Sequence, residues 1–88
     1  MKVGDILLSR QFLEQHRGLA PRIKDQLTRA TDLLKENPLH PSLRLHKLSG
    51  KFKGHWSISL NEKYRVIFKP FENGDVLFVS IGTHAIYD

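Results

Sequence analysis

The spacing of apolar residues predicts helices in the first half of the chain. After Pro21, apolar positions recur every three or four residues, which gives one apolar stripe on a helix that ends near Glu36. The stripe consists of Ile23, Leu27, Ala30, Leu33 and Leu34. A shorter helix is predicted from the N-cap Ser9 to Gly18, which is expected to be a left-handed residue at its C-terminal end. Residues 5–8 before it form a short candidate strand.

In the second half, the pattern changes to the alternation that is typical of strands. Three alternating segments are separated by short turn signals at Asn61–Lys63 and Asn73–Gly74, which predicts an antiparallel meander. The residues expected to face the helices are Trp56, Ile58, Leu60, Tyr64, Val66, Phe68, Leu77, Val79 and Ile81. The predicted fold class is therefore α+β: a short N-terminal strand, a helical hairpin and a three-stranded meander, with the helices on one face of the sheet.

The opposite face of the predicted sheet collects polar and titratable side chains. They are His55, Ser57, Ser59, Arg65, Lys69 and Ser80, and His84 continues the alternation beyond Gly82. Such alternation is also typical of the solvated side of a two-layer domain. Spacing alone leaves the solvated interpretation and a functional interpretation both open.

Length and composition place the chain among ordinary globular domains. With 88 residues, we expect a single domain over 1–88. The absence of cysteine excludes disulfides and thiolate metal sites, and it fits a reducing cytoplasm, which is the expected location. No apolar run is long enough for a signal peptide or a membrane span, so no membrane partner is expected. The five histidines are scattered, so we expect neither a metal nor another cofactor.

The charge balance points to a polyanionic partner. Fourteen lysines and arginines stand against nine acidic residues, which gives a net charge of +5 at pH 7. Such a surface attracts phosphate backbones or acidic protein segments, although a merely soluble basic surface is the simpler interpretation. The cationic residues of the second half, where we place the candidate patch, are Arg44, Lys47, Lys51, Lys53, Lys63, Arg65 and Lys69.

Four short motifs follow one another through the second half of the chain. They are Leu45-His46-Lys47-Leu48-Ser49-Gly50, Lys53-Gly54-His55-Trp56-Ser57, Tyr64-Arg65-Val66-Ile67-Phe68 and Ile81-Gly82-Thr83-His84. With the strand and helical hairpin before them, they resemble the RelE/ParE superfamily of bacterial type II toxins. The resemblance implies a toxin that forms a hetero-oligomer with a small, acidic, DNA-binding and partly disordered antitoxin. Most RelE-like members cut mRNA in the ribosomal A site, whereas ParE-like members inhibit DNA gyrase.

The resemblance also implies roles for individual residues. His46 stands where the YafQ-like branch has a catalytic histidine and the YoeB-like branch a glutamate, so it is the candidate base. Arg65 matches the arginine that stabilises the phosphate in the YoeB-like branch. His84 matches the terminal histidine of the YafQ-like branch and is the candidate acid, while Tyr87 either shares that role or stacks a base. These types suit attack by a ribose 2′-OH, which needs a base, an acid and cationic charge but no metal.

The remaining candidates bind RNA or its phosphates. Lys51 and Lys53 lie in one loop, His55 is expected on the same surface, and Lys63 completes the set. Ser59 and Lys63 depart from the YafQ-like branch, which has a further histidine and an aspartate there, so the chain combines features of two branches.

Three functions follow from these observations. The first is a ribosome-dependent mRNA endonuclease that inhibits translation, with the ribosome and mRNA as partners. The second is a ParE-like gyrase inhibitor, or a toxin homologue without nuclease activity that acts by protein binding. The third is a basic domain that only binds nucleic acid, which should show neither cleavage nor an effect on gyrase.

Overall fold

Two helices and a five-stranded sheet make up the fold in the computed structural model, which describes residues 2–87. The helices are α1 (Arg10–Arg17) and α2 (Pro21–Glu36), and the strands are β1 (Ile6–Leu8), β2 (His46–Lys47), β3 (Trp56–Ser59), β4 (Arg65–Pro70) and β5 (Val76–Gly82). Three short 3₁₀ turns lie at Pro41–Leu43, Gly50–Phe52 and His84–Tyr87. No helix in the described part of the chain is long and apolar enough to cross a membrane.

The strand order is β1-β5-β4-β3-β2. β1 pairs in parallel with β5, and every other pairing is antiparallel. This arrangement confirms the predicted α+β class, with its N-terminal strand, helical hairpin and meander. β2 was not expected, because a strand of two residues is too short to show an alternation of polar and apolar positions. It places His46 at an edge of the sheet, opposite Ser57.

The ends of α1 agree with the predicted cap only at the N-terminus. The Ser9 hydroxyl accepts a hydrogen bond from the Phe12 amide at 3.0 Å, as an N-cap residue should. Gly18 has φ −85° and ψ 0°, so the prediction of a left-handed residue there was wrong. The helix ends instead in a tight right-handed turn, in which the amides of Gly18 and Leu19 bond the carbonyls of Gln15 and His16.

The core lies between the helices and one face of the sheet. Its buried members are Phe12, Leu27, Ala30, Leu34, Leu43, Ile58, Val66, Phe68, Val76, Phe78 and Ile81. The predicted facing was wrong for Leu77 and Val79, because β5 contains a bulge. Phe68 of β4 pairs with Phe78, whereas the preceding residue Ile67 pairs with Ser80, so Val79 is an extra residue in β5. The alternation of side chains therefore shifts at Val79, and before the bulge Val76 and Phe78 rather than Leu77 and Val79 point into the core.

Leu27→Ala tests the importance of this core. Leu27 is only 8% exposed, so its truncation should lower the free energy of unfolding by about 2–4 kcal/mol. Leu39→Ala is the matched control, because Leu39 is 75% exposed and its truncation should change the same quantity by less than about 0.5 kcal/mol. Urea unfolding followed by Trp56 fluorescence measures both. Equal losses in the two variants would contradict the assignment of the core.

Candidate active site

Four paired residues form one row across the sheet face that points away from the helices. His46 pairs with Ser57, Ser57 with Ile67, and Ile67 with Ser80. Directly paired residues of antiparallel strands project from the same face, so their side chains lie side by side. We call His46, Ser57, Ile67 and Ser80 the central row.

The C-terminal turn (His84–Tyr87) folds back over this face. The Tyr87 hydroxyl donates a hydrogen bond to Ser57 Oγ at 3.1 Å. A Cβ atom added at Gly82 would lie 2.6 Å from Ile86 Cγ2, so the turn packs directly on the end of β5. Three members of the central row are buried: Ser57, Ile67 and Ser80. The interpretation of this face as a plain solvated surface is therefore wrong at its centre.

A chain of hydrogen bonds connects Tyr87 to His46 through Ser57. Ser57 Oγ lies 3.5 Å from His46 Nε2, a long contact, and His46 Nδ1 lies 2.9 Å from the carbonyl oxygen of Arg44. Because a carbonyl only accepts, Nδ1 of the neutral imidazole carries the hydrogen and Nε2 keeps its lone pair. His46 is exposed, so a substrate can reach its Nε2 atom.

The Arg44 backbone provides that carbonyl from a rare conformation. Arg44 has φ 47° and ψ 45°, in the left-handed region, which costs a residue with a side chain about 1–2 kcal/mol. It directly follows the 3₁₀ turn Pro41–Leu43 and precedes the chain segment that enters β2. Sequence analysis did not predict this positioning role, because no local pattern distinguishes a left-handed arginine from an ordinary one.

Aromatic rings bring the predicted site residues of two loops together. The Phe52 ring lies edge-on to His55, with centroids 6.1 Å apart, and to Tyr87, with centroids 6.4 Å apart. The His84 ring lies 5.1 Å from that of Tyr87, and Lys51 Nζ lies 5.3 Å from the centre of the Phe52 ring. We call Phe52, His55, His84 and Tyr87 the aromatic cluster; it joins the loop before β3 to the C-terminal turn.

Arg65 lies on the same face but farther along the strands. It pairs with Ser59, two residues beyond the central row. Strand spacings of about 4.8 Å and a rise of about 3.3 Å per residue place its Cα about 12 Å from that of His46. Its Nη1 donates to the carbonyls of Asn61, at 2.6 Å, and Tyr64, at 3.1 Å. Its Nε and Nη2 groups make no hydrogen bond within residues 2–87 and can bind an anion.

The other predicted RNA-binding residues lie outside the aromatic cluster. Lys53 is exposed in the loop before β3, and its carbonyl oxygen lies 3.4 Å from His55 Nδ1. Lys63 is exposed in the turn between β3 and β4, where Asn61 Oδ1 accepts from its amide at 2.8 Å. Among residues 2–87, no three histidine or carboxylate side chains form a group that could hold a metal ion.

The described groups suit proton transfer beside an anion. His46 Nε2 offers a lone pair, Tyr87 offers a hydroxyl, and Arg65 offers a fixed positive charge on one face of the sheet. His84 lies against Tyr87 and provides a second titratable group. The arrangement is therefore compatible with acid-base chemistry at a phosphate.

Gly82→Ala tests the packing of the C-terminal turn. The added methyl group should push Ile86 away from β5 and separate Tyr87 from Ser57. Hydrogen exchange of the Ile86 amide, which bonds the Thr83 carbonyl at 3.0 Å, should then become faster by about tenfold or more. Gly18→Ala is the control, because its Cβ would meet only the Gln15 carbonyl oxygen, at 3.8 Å. Unchanged exchange in Gly82→Ala would contradict this packing.

Comparisons with known proteins identify the family. The family model of the HigB-like toxins, RelE-like toxins of type II toxin-antitoxin systems, matches residues 5–84. YafQ from Escherichia coli is 25% identical with a TM-score of 0.80, over 94% of this chain and 96% of YafQ. In the E. coli DinJ-YafQ toxin-antitoxin complex, the matching chain is 26% identical with a TM-score of 0.76, and 93% of each chain is covered.

More distant structures share the fold. A YoeB/ParE toxin from Agrobacterium tumefaciens is 13% identical, with a TM-score of 0.75 over 92% of this chain and 99% of that one. No curated protein sequence matches the chain. The family match covers nearly the whole chain and confirms the resemblance inferred from the sequence motifs. The chain belongs to the HigB-like family of RelE-like toxins of type II toxin-antitoxin systems.

Proposed function

We propose that this toxin is a ribosome-dependent mRNA endonuclease. The observation that carries the proposal is the connected pair His46 and Tyr87, which lies on the same sheet face as Arg65. An inhibitor that acts only by binding gyrase needs no unprotonated imidazole nitrogen on the same face as a hydroxyl and a cation. A ribosomal target would place the activity in the cytoplasm.

The proposed reaction is metal-independent attack within the RNA. His46 Nε2 takes the proton of a ribose 2′-OH, and the 2′ oxygen attacks the adjacent phosphorus. Arg65 stabilises the additional negative charge on the phosphate oxygens, for which its planar guanidinium is suited. The bond from phosphorus to the 5′ oxygen then breaks, and His84 or Tyr87 donates a proton to that oxygen. The products are a 2′,3′-cyclic phosphate and a 5′-hydroxyl.

The basic residues around the site would hold the RNA strand. Lys51 and Lys53 in the loop before β3, and Lys63 beyond β3, contribute positive charge, and all three are exposed. His55 and Phe52 form an aromatic surface on which an unpaired base can stack. Phosphate contacts of this kind position the strand and make binding dependent on salt.

The proposed partner is an antitoxin, because the similar YafQ forms a complex with DinJ. The net charge of +5 favours a partner with acidic groups. An apolar groove of about 340 Å³ lies between β1 and the helices. Two of its lining residues, Leu8 and Leu13, are 45% and 46% exposed and can receive apolar side chains of a segment that folds on binding. Acidic groups of the same partner would meet Lys51, Lys53 or Arg65.

Induced expression followed by primer extension on cellular mRNA tests the proposed target. We expect new transcript ends inside translated codons, together with a rapid stop of protein synthesis. Growth arrest with intact transcripts, a DNA-damage response and impaired supercoiling would contradict the proposal and favour the gyrase inhibitor. Intact transcripts without growth arrest would also contradict the proposal, and they would favour the third candidate, a basic domain that only binds nucleic acid.

Arg65→Ala tests the phosphate contact. Loss of a cation that stabilises transition-state charge should lower the cleavage rate about 100-fold or more. Arg65→Lys should restore only part of the rate, because an ammonium group lacks the planar fork. Arg29→Ala removes an exposed arginine from α2, on the other side of the sheet, and should leave the rate unchanged. Rates on a defined mRNA with purified ribosomes provide the measurement, and equal rates for Arg65→Ala and Arg29→Ala would contradict the assigned role.

A further inference from the structure

Ser57 is a buried hydroxyl for which the proposed reaction has no role. It lies in the middle of β3 and is fully buried. Ser59, two residues along the same strand, is also buried, and its Oγ has no hydrogen-bond partner within residues 2–87. Ser57 Oγ instead contacts groups from two other parts of the chain, His46 and Tyr87. A buried hydroxyl with two specific partners suggests a function beyond filling space.

Only one arrangement of hydrogens satisfies every contact of Ser57 when His46 is neutral. The Arg44 carbonyl accepts a hydrogen bond from the Nδ1–H group of His46, so Nε2 of the neutral ring can only accept. Ser57 must therefore donate its single hydrogen to Nε2, and its oxygen must accept from Tyr87. The chain runs in one direction, from the tyrosine hydroxyl to the serine hydroxyl to the imidazole nitrogen.

We propose that Ser57 is a positioning residue that donates a hydrogen bond to the unprotonated Nε2 of His46, orients the imidazole and links it to Tyr87. Its effect on cleavage rests on the proposed function, whereas its effect on the imidazole does not. The Arg44 carbonyl selects the same tautomer from the other side of the ring, so two contacts fix both its protonation and its orientation. Because the Ser57 contact is 3.5 Å long, a substrate 2′-OH can replace it at a shorter distance.

The tautomer of His46 can be measured directly in Ser57→Ala. Long-range ¹H–¹⁵N correlation spectra of labelled toxin report which imidazole nitrogen carries the hydrogen, and His46→Ala identifies the signal. Ser80→Ala is the matched control, because Ser80 is a buried serine of the central row that is paired with Ile67 rather than with His46. At alkaline pH we expect the Nδ1-protonated form in the parent and in Ser80→Ala. Ser57→Ala should contain a larger fraction of the Nε2-protonated form than the parent, because the Arg44 carbonyl is then the only one of the two contacts left to select the tautomer.

Cleavage measurements give the second readout. Misplacement of the base should lower kcat in Ser57→Ala by about 10- to 100-fold with little change in KM, whereas Arg29→Ala on α2 should match the parent. If Ser57→Ala does not fold, Ser57→Cys gives the same comparison, because a thiol is a weak donor. Parent-like tautomer and kcat in the Ser57 variant would overturn the proposal. If the parent toxin cuts no RNA, the proposed function fails, and the tautomer comparison still decides the role of Ser57.

Discussion

The packing of the C-terminal turn on the sheet shapes the candidate active site. Through this packing, Tyr87 donates a hydrogen bond to Ser57 and Ile86 lies on Gly82, on a face where three residues of the central row are buried. Burial of Ser57 strengthens the hydrogen bond that it accepts from Tyr87, and the exposed His46 ring is oriented by its contacts with Ser57 and the Arg44 carbonyl.

One face of the sheet carries the apolar core, and the other carries the candidate site. The helices cover one face with the apolar core, in which Phe68 of β4 and Phe78 of β5 have ring centroids 6.2 Å apart. The other face carries His46, Arg65 and the C-terminal turn, none of which belongs to that core. Substitutions on the site face can therefore change activity while the core remains intact.

The features that periodicity predicted are those formed by neighbours in sequence. The stripe from Ile23 to Leu34 and the alternation in β3 and β4 indicated the helices, the meander and the side of the core. The bulge near Val79 escaped prediction because it depends on how β5 pairs with β4, which no local pattern encodes. The resemblance singled out His46, Arg65, His84 and Tyr87, but neither Ser57 nor Arg44. The roles proposed for those two depend on contacts with His46 that only the folded chain creates.

The chemical identity of the cleaved ends tests the central claim most directly. The toxin would be incubated with programmed ribosomes, using an mRNA with ribose or 2′-deoxyribose at the nucleotide before the cut. The account predicts a 2′,3′-cyclic phosphate and a 5′-hydroxyl on the ribose substrate, no cut on the deoxy substrate, and loss of both products in His46→Ala. Cleavage of the deoxy substrate, or a 5′-phosphate on the downstream fragment, would contradict attack by the 2′-OH.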